Sequence, residues 1–251
     1  MTDNALKEQF DTDGYVVLRE FIRGEDLKKL QSEIERLIRD AVPSMPPEHV
    51  FYEDKRRPET LKQLQMLHTH DEFFHDLFLG GPVQRLAETL LGDQVVGKNF
   101  QYFSKPPGTG QPTPPHQDGF YFKLTPCEAL TMWLALDDVD NENGCVRYVR
   151  GSHLRGMRQH QKSNVLGFSQ AMTDYGQPAD LENEVDMPAR PGDLLVHHAL
   201  TIHSAGGNRS ANRARRSLGF IFFAQRSQPD EAAVTAYQES LRKELTASGK
   251  I

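Results

Sequence analysis

The spacing of hydrophobic residues changes close to residue 93. Before this point apolar residues recur mainly at intervals of three or four, which is typical of helices with one buried face. Leu30, Ile34 and Leu37 show this interval most clearly. Helices are predicted over residues 4–11, 24–42, 61–78 and 82–91. The β-branched run at 14–22 predicts a strand, and the segment 43–60, rich in proline and charge, predicts a loop.

Short runs of β-branched and aromatic residues follow from residue 95, separated by turn residues. The predicted strands carry the sequences VVGKNFQYFS, FYFKL, ALTMWLALDDV, CVRYVRGS, DLLVHHALTIHSA and SLGFIFFAQ. Strands at this spacing favour a closed or two-sheet β architecture with the early helices packed outside it. We therefore predict one mainly β domain over residues 1–251. Its parts are a helical segment over about 1–92, a β-barrel core over about 93–228 and a C-terminal helix over about 229–247.

The composition narrows the classes of protein to which the chain can belong. Its 251 residues are 37% hydrophobic and 25% charged with a net charge of -6, which predicts a soluble protein without a nucleic-acid-binding surface. No apolar run approaches the roughly 20 residues of a membrane helix, and the first residues lack the pattern of a secretory signal. The two cysteines, Cys127 and Cys145, are expected to remain unpaired thiols. A cytoplasmic location is therefore expected.

The stretch PPHQDGFYFKL, residues 114–124, contains the first candidate for metal chemistry. If it enters a strand, His116 and Asp118 point to the same face and can reach one ion. An H-x-D string arises about once by chance in a chain of this composition, so it also fits an ordinary loop hydrogen bond. A metal site needs a third ligand from elsewhere in the chain.

His197, His198 and His203 are the candidates for that third ligand. His203 is preferred because it ends its predicted strand before Ser204-Ala205-Gly206-Gly207, where a side chain can turn into the mouth of a barrel. Two histidines and one carboxylate leave three positions of an ion open, as in non-haem iron(II) oxygenases, whereas a structural zinc site is closed. His198 could instead orient a ligand carboxylate or the co-substrate.

A competing cluster lies in the sequence LHTHDEFFH, which contains His68, His70, Glu72 and His75. On a helix, His68 and His70 point about 200° apart and cannot share an ion. This cluster is therefore predicted to be structural.

Four arginines follow the last candidate ligand, in the sequence GGNRSANRARRSLGFIFF. A solvated basic loop is the ordinary explanation for such a run. An arginine that points inward from the start of the strand could instead bind both oxygens of a carboxylate.

Taken together, these blocks resemble the phytanoyl-CoA dioxygenase family of iron(II)- and 2-oxoglutarate-dependent oxygenases. The similar segments are FDTDGYVVLREFI, HTHDEFF, PPHQDGFYF, MWLALDDVDNENGCVRYVRGSH, PGDLLVHHALTIHSAGGNRS and RARRSLGFIFF. The resemblance implies a double-stranded β-helix, also called a jelly-roll or cupin-like barrel. It implies iron(II), 2-oxoglutarate and O2 as cofactor and co-substrates. The positions matching the family's iron ligands are His116, Asp118 and His203.

The resemblance also implies residues that bind 2-oxoglutarate. Arg215 matches the arginine that holds its distal carboxylate, and Trp133 and Lys62 resemble further co-substrate residues. The loop before Arg215 is one residue longer than the commonest spacing, so Arg213 or Arg216 are alternatives. Ala205 stands at a position often occupied by serine, and Ser217 could supply the missing hydroxyl.

The predicted function is hydroxylation of an unactivated C–H bond of a small molecule, with release of succinate and CO2. The alternatives are a non-catalytic barrel that binds a small ligand or metal, and a metal-dependent isomerase or lyase that does not use 2-oxoglutarate. Tyr102, Phe122 and Arg147 are expected near the barrel mouth. The sequence does not choose among an acyl-CoA, an amino acid and a natural product as substrate, and it does not predict the oligomeric state.

Overall fold

A computed structural model describes residues 2–108, 110–165 and 168–247 of the chain. Within these residues two large antiparallel sheets, of seven and of four strands, face each other, and two shorter pairs of strands accompany them. Side chains of both large sheets meet in one apolar cluster between them. Helices pack on the outer face of the seven-stranded sheet. This arrangement is the predicted double-stranded β-helix, or jelly roll.

The elements follow one another along the described chain as listed here. The strands are β1 (Tyr15–Leu18), β2 (Val50–Tyr52), β3 (Leu61–Leu64), β4 (Val95–Lys105), β5 (Thr113–His116), β6 (Leu124–Thr125), β7 (Ala129–Ala135), β8 (Val146–Val149), β9 (His160–Val165), β10 (Phe168–Met172), β11 (Glu184–Met187), β12 (Leu194–His198), β13 (His203–Ala205), β14 (Arg215–Ala224) and β15 (Gln228–Pro229). The α-helices are α1 (Asp3–Asp13), α2 (Gly24–Asp40), α3 (Leu67–His70), α4 (Glu72–Phe78), α5 (Pro82–Leu91), α6 (Gly119–Phe122), α7 (Pro178–Leu181) and α8 (Glu231–Ala247). Short 3-10 helices cover Val42–Ser44, Pro47–His49, Pro58–Thr60 and Ser152–Arg155.

The order of strands is β1-β12-β7-β14-β4-β3-β2 in the large sheet and β11-β8-β13-β5 in the small sheet. Along the chain, β5, β8 and β13 of the small sheet alternate with β7, β12 and β14 of the large sheet. The chain therefore crosses repeatedly from one sheet to the other, which distinguishes a jelly roll from a simple meander. Because of these crossings, residues distant in sequence face each other between the sheets.

Strand β14 shows how the large sheet separates two environments. Leu218, Phe220 and Phe222 are fully buried against the helices. The alternate residues, beginning with Arg215 and Ser217, face the space between the sheets, as side chains on successive strand positions point to opposite faces. The apolar face holds the sheet to the helices, and the opposite face is available for polar chemistry.

Most of the predicted helices are confirmed. Helix α2 buries Leu30, Ile34 and Leu37 on one face, as the spacing predicts. The helices expected over 4–11, 82–91 and 229–247 correspond to α1, α5 and α8, with bounds within two residues of those predicted.

The helix predicted over 61–78 is wrong for its first residues. Leu61–Leu64 form β3, which lies between β2 and β4, and all four residues are buried. The leucines are spaced as in a helix, but neighbouring strands supply the backbone hydrogen bonds, and burial on both faces removes the usual alternation. Lys62 therefore lies on a strand. The segment 1–92 is thus not only helical, because β1, β2 and β3 join the large sheet.

The strand predicted for FYFKL is also wrong over most of its length. Strand β5 ends at His116, Asp118 adopts helical backbone angles (φ -59°, ψ -34°), and α6 follows. The Gly119 amide donates a hydrogen bond to the Ala199 carbonyl at 2.8 Å, which fixes this turn against the chain that leads to β13. His116 and Asp118 therefore approach each other through a helical turn and not through strand alternation.

Two further expectations concern the whole chain. Cys127 and Cys145 are free thiols, as predicted. Among the residues described, no helix combines the length and apolar composition needed to cross a membrane.

Gly192 lies in the turn that leads into β12. Its φ is 90°, and an added Cβ would lie 1.9 Å from the Ile22 carbonyl oxygen. We expect Gly192→Ala to lower the free energy of unfolding by about 2–4 kcal/mol in denaturant titrations, because both the backbone angle and the close carbonyl oppose a side chain. Gly80→Ala is the matched control, since its φ is 77° and an added Cβ would meet nothing within 4 Å. A control that loses as much stability would show that the carbonyl contact is unimportant.

Candidate metal centre and co-substrate pocket

Three side chains with metal-binding chemistry meet between the two sheets. One ligand atom each from His116, Asp118 and His203 lies within 4.8 Å of the others. His116 ends β5 and His203 begins β13, and the two are direct cross-strand partners with ring centroids 4.1 Å apart. The structure therefore brings together the three residues predicted as ligands.

The backbone fixes the orientation of both histidine rings. His116 Nδ1 lies 2.8 Å from the Pro114 carbonyl oxygen, and His203 Nδ1 lies 3.0 Å from the Thr201 carbonyl oxygen. Because a carbonyl oxygen only accepts, each Nδ1 carries the proton and each Nε2 carries a lone pair. The Nε2 atoms point toward Oδ1 of Asp118, at 3.5 and 3.7 Å. This is the tautomer that a metal-ligating histidine needs.

The two oxygens of Asp118 have different surroundings. Oδ1 faces the two histidine Nε2 atoms. Oδ2 accepts a hydrogen bond from the Thr131 hydroxyl at 2.6 Å and another from His197 Nε2 at 3.1 Å. The carboxylate thus presents one oxygen toward the histidine ligands, while residues of the large sheet donate hydrogen bonds to the other oxygen.

Burial and neighbouring groups set the protonation states of this site. Burial lowers the pKa of His203 well below its ordinary value, and repulsion from His116 and His197 lowers it further. Burial alone would raise the pKa of Asp118, but the neighbouring side chains of His203, His116 and His197 outweigh burial and hold that pKa well below its usual range. Near neutral pH His203 is therefore neutral and Asp118 ionised, the states in which both side chains bind metal.

His197, not His198, contacts the ligand carboxylate. His198 faces the opposite side of β12, where Nε2 lies 3.8 Å from Glu128 Oε2 and Nδ1 accepts the Leu200 amide hydrogen at 3.1 Å. The expectation that His198 orients a carboxylate ligand is therefore wrong in residue, although the predicted interaction exists one position earlier. Two adjacent histidines on a strand point to opposite faces, and the sequence did not show which face is internal.

Gln117, between the two H-x-D ligands, is a residue that sequence reasoning missed. It is fully buried, and its amide nitrogen donates to the carbonyls of Gly156 and Leu200 at 3.0 and 2.7 Å. Its backbone amide donates to His160 Nε2 at 3.0 Å. These bonds fasten the ligand turn to two other segments. A polar residue between two ligands was the only available signal, and it is common in loops.

The competing histidines on the helices do not form a second metal cluster. His70 Nε2 lies 2.9 Å from His49 Nδ1, and the His68 ring packs against Phe78. Within the described part of the chain, His116, Asp118 and His203 are the only group of three potential ligands found within ligating distance.

Arg215 begins β14 and is 4% exposed. Its guanidinium carbon lies 5.4 Å from the ring centroid of Trp133, and Nη1 lies 3.5 Å from the hydroxyl of the fully buried Ser217. Nε has no hydrogen-bond partner among the described residues. Burial lowers the pKa of Arg215 to about 10, so it remains charged near neutral pH. Arg215 therefore contacts two other predicted co-substrate residues, Trp133 on β7 and Ser217 on β14.

The alternative arginines already have carboxylate partners. Arg213 contacts Asp140 at 2.9 Å and Glu142 at 2.6 Å. Arg216 contacts Asp137 at 2.7 Å. Within residues 2–108, 110–165 and 168–247, no carboxylate forms a comparable ion pair with Arg215. Of the three candidates, Arg215 is the one with a guanidinium that is buried and available for a further anion.

Two buried lysines extend this basic region. Lys62 Nζ lies 2.9 Å from Glu53 Oε1, and Lys105, the cross-strand partner of Arg215, donates to the Gly206 carbonyl at 2.6 Å. Burial lowers the pKa of Lys105 well below its ordinary value, and the positive charges of Arg215 and Lys62 act in the same direction. The predicted co-substrate residue Lys62 thus lies close enough to Lys105, the cross-strand partner of Arg215, for its charge to affect that lysine.

The residues expected at the barrel mouth have separate positions. Tyr102 belongs to the apolar cluster against the helices, and burial raises its pKa to about 12. Arg147 contacts Asp186 at 2.7 Å and is partly exposed. Phe122 packs against Phe223 with ring centroids 4.9 Å apart. Tyr102 is therefore not at the mouth, because it occupies the outer face of β4.

A family model and several known proteins resemble this chain. The phytanoyl-CoA dioxygenase (PhyH) family model matches residues 10–217. The peroxisomal phytanoyl-CoA dioxygenase of Mus musculus is 24% identical over 249 residues, which cover 94% of this chain and 72% of that protein. Phytanoyl-CoA dioxygenase 1 of Oryza sativa subsp. japonica is 26% identical over 244 residues, covering 84% and 85%. The solved structure of the epimerase SnoN with Fe³⁺, alpha ketoglutarate and nogalamycin RO has a TM-score of 0.70 at 25% identity, covering 90% of this chain and 84% of that one.

The geometry of the three side chains predicts that the isolated protein binds one iron(II) per chain. His116→Ala and Asp118→Ala should each weaken iron binding by more than the roughly 10- to 100-fold typical of losing an outer-shell partner, because each removes a ligand. Anaerobic titration with metal analysis measures both the affinity and the stoichiometry. His70→Ala is the control, and undiminished stoichiometric iron in both ligand variants would contradict the assignment.

Proposed function

Because the chain belongs to the phytanoyl-CoA dioxygenase family, we propose that it is a non-haem iron(II)- and 2-oxoglutarate-dependent dioxygenase that acts on a small molecule. Within that class, we propose hydroxylation of an unactivated C–H bond with release of succinate and CO2. The observation that carries the proposal is the buried guanidinium of Arg215, which has no carboxylate partner among the described residues. It lies beside β7, the strand that also contacts the candidate metal ligand Asp118.

The donor set supports iron(II) as the resident metal. His116 and His203 offer two imidazole nitrogens and Asp118 offers one carboxylate oxygen, and these atoms lie within 4.8 Å of one another. Two histidines and one carboxylate with open positions are typical of non-haem iron(II) oxygenases. The carbonyl bonds at Nδ1 direct both Nε2 atoms toward Asp118, and this is the feature of the chain that fits a bound metal.

The position of Arg215 supports 2-oxoglutarate as the co-substrate. Thr131, which contacts Asp118, and Trp133 lie two residues apart on the same face of β7, a separation of about 7 Å along a strand. Arg215 lies against Trp133. A molecule that binds the metal at one end can therefore extend past Trp133 and place a second carboxylate against the guanidinium. Ser217 and Lys62 are proposed to contribute to the same pocket.

When bound, iron(II), 2-oxoglutarate and O2 supply the oxidation of a C–H bond, coupled to conversion of 2-oxoglutarate to succinate and CO2. The residues of the chain have a different task. Trp133 and Tyr148 provide buried walls of the space between the sheets and help to exclude water. Arg215 and the histidine ligands orient the reactants, and that orientation can account for much of the rate enhancement.

The alternative functions explain fewer features. A structural or non-catalytic metal site does not require a charged arginine buried without a carboxylate, which is costly in a folded protein. A metal-dependent isomerase or lyase leaves the same residue without a role. SnoN is described as an epimerase, so similar folds are found with different reaction outcomes.

The proposed function predicts slow conversion of 2-oxoglutarate to succinate even without the primary substrate. An iron site that holds the co-substrate can react unproductively with O2. Succinate should form only when iron and O2 are both present, and a coupled succinate assay or mass spectrometry measures it. Iron-loaded protein that neither binds 2-oxoglutarate in calorimetry nor consumes it would favour the non-catalytic alternative.

Arg215→Ala should weaken 2-oxoglutarate binding by roughly two to three orders of magnitude. The distal carboxylate would lose its buried charged partner, a loss of about 3–5 kcal/mol, and each tenfold in affinity corresponds to about 1.4 kcal/mol. Iron affinity should change little. Calorimetry with Mn(II)-loaded protein measures the 2-oxoglutarate affinity without turnover.

Arg213→Ala and Arg216→Ala are matched controls because each removes an arginine that already pairs with a carboxylate. Both variants should bind 2-oxoglutarate within about threefold of the original protein, a change below 1 kcal/mol. If one of them carries the loss while Arg215→Ala binds normally, the assignment of the co-substrate arginine is wrong.

A further inference from the structure

Asp118 is held by the sheet opposite to the histidine ligands. Thr131 on β7 and His197 on β12 both donate to Oδ2, at 2.6 and 3.1 Å. Thr131 and His197 are cross-strand partners, so they lie at the same height in the large sheet. A carboxylate oxygen accepts about two hydrogen bonds through its lone pairs, and Oδ2 already has two donors. Oδ1 is the oxygen left for the ligand position.

Tyr148 extends this arrangement by one residue. Its hydroxyl lies 3.0 Å from His197 Nδ1, and the tyrosine is fully buried and stacked on Tyr15 with ring centroids 4.9 Å apart. Because the carboxylate only accepts, His197 Nε2 carries the proton, and Nδ1 accepts from the tyrosine hydroxyl. Tyr148 thus fixes the tautomer in which His197 donates to Asp118.

We propose that Thr131, His197 and Tyr148 form a positioning chain that keeps Asp118 bound to the metal through one oxygen only. The inference rests on the proposed function, in which 2-oxoglutarate and O2 need the three open positions of the ion. A carboxylate released from its donors can bind through both oxygens and occupy one of those positions. The positioning chain therefore preserves co-substrate binding rather than metal affinity.

The positions of these residues in the two sheets support a specific role. Tyr148 is the cross-strand partner of His203 in the small sheet, while Tyr15, His197 and Thr131 are successive partners in the large sheet. The donors to Asp118 and the histidine ligands are therefore fixed in the registers of two different sheets. The carboxylate meets both sets, so its rotation is restricted from both sides.

The test separates metal binding from co-substrate binding in variants of the positioning chain. The paired substitution Thr131→Val with His197→Leu removes both donors while keeping similar volumes. Calorimetry under anaerobic conditions measures the dissociation constants of Mn(II) and then of 2-oxoglutarate. The visible spectrum of the Co(II)-loaded protein reports the coordination number independently of activity.

In the paired variant, the Mn(II) dissociation constant should stay within about threefold of that of the unaltered protein. The released carboxylate of Asp118 is less well oriented, but it can bind the ion through both oxygens, and the two effects offset each other. The dissociation constant of 2-oxoglutarate should rise about 10- to 100-fold, the range typical of losing outer-shell partners. The Co(II) spectrum should change before 2-oxoglutarate is added. Tyr148→Phe should weaken 2-oxoglutarate binding by a smaller factor, since it removes only the tautomer control.

Conservative variants and a neighbouring histidine complete the experiment. Thr131→Ser and His197→Gln each keep a hydrogen-bond donor to Asp118 Oδ2. Each variant should therefore bind 2-oxoglutarate within about threefold of the unaltered protein. His198→Leu is the matched control on β12, because His198 faces Glu128 and not the ligands. Equal losses of Mn(II) and 2-oxoglutarate affinity, a loss of Mn(II) affinity alone, or no loss of either would overturn the proposal. An unaltered protein that does not bind 2-oxoglutarate would instead refute the proposed function.

Discussion

The candidate site depends on one buried carboxylate that both sheets contact. Asp118 meets two histidines of the small sheet through Oδ1 and two donors of the large sheet through Oδ2. A charged carboxylate in this position would be costly without such partners, because burial disfavours ionisation. The hydrogen bonds therefore stabilise the ionised side chain and also set its direction. Any shift of one sheet relative to the other would therefore change both the stability of the ionised carboxylate and the direction in which it points.

The second constraint is the uneven distribution of buried charge. Arg213 and Arg216 have carboxylate partners, whereas Arg215 is enclosed beside Trp133 and lacks one in the part of the chain that the structure describes. Lys105 adds a further amine whose pKa burial depresses. Without a ligand, this buried positive charge lowers the free energy of unfolding. Binding of an anion raises the free energy of unfolding again. It thus distinguishes a binding pocket from a packed core.

Two predictions of local structure were wrong at residues that belong to the candidate site. His116 and Asp118 were expected to share one face of a strand, yet they converge because the chain turns helically at Asp118. Lys62 was placed on a helix but lies on β3, where neighbouring strands outweigh the helical spacing of its leucines. The choice of candidate site residues rests on residue types and their order along the chain, so errors in predicted local structure do not change it. The local backbone conformation could not be predicted in the same way, because tertiary hydrogen bonds decide it.

The sequence by itself determined the class of fold, the three side chains that meet near one point and the arginine run that contains Arg215. These follow from periodicity and from residue chemistry, which are local properties. Only the tertiary structure decided that His197 and not His198 contacts Asp118, and that Gln117 fastens the ligand turn. It also decided that, of the three candidate arginines, Arg215 is the one that lacks a carboxylate partner among the described residues. Each of these depends on which strand face is internal and on pairing between segments far apart in the chain. Sheet register fixes both, and a single sequence does not encode register in any local pattern.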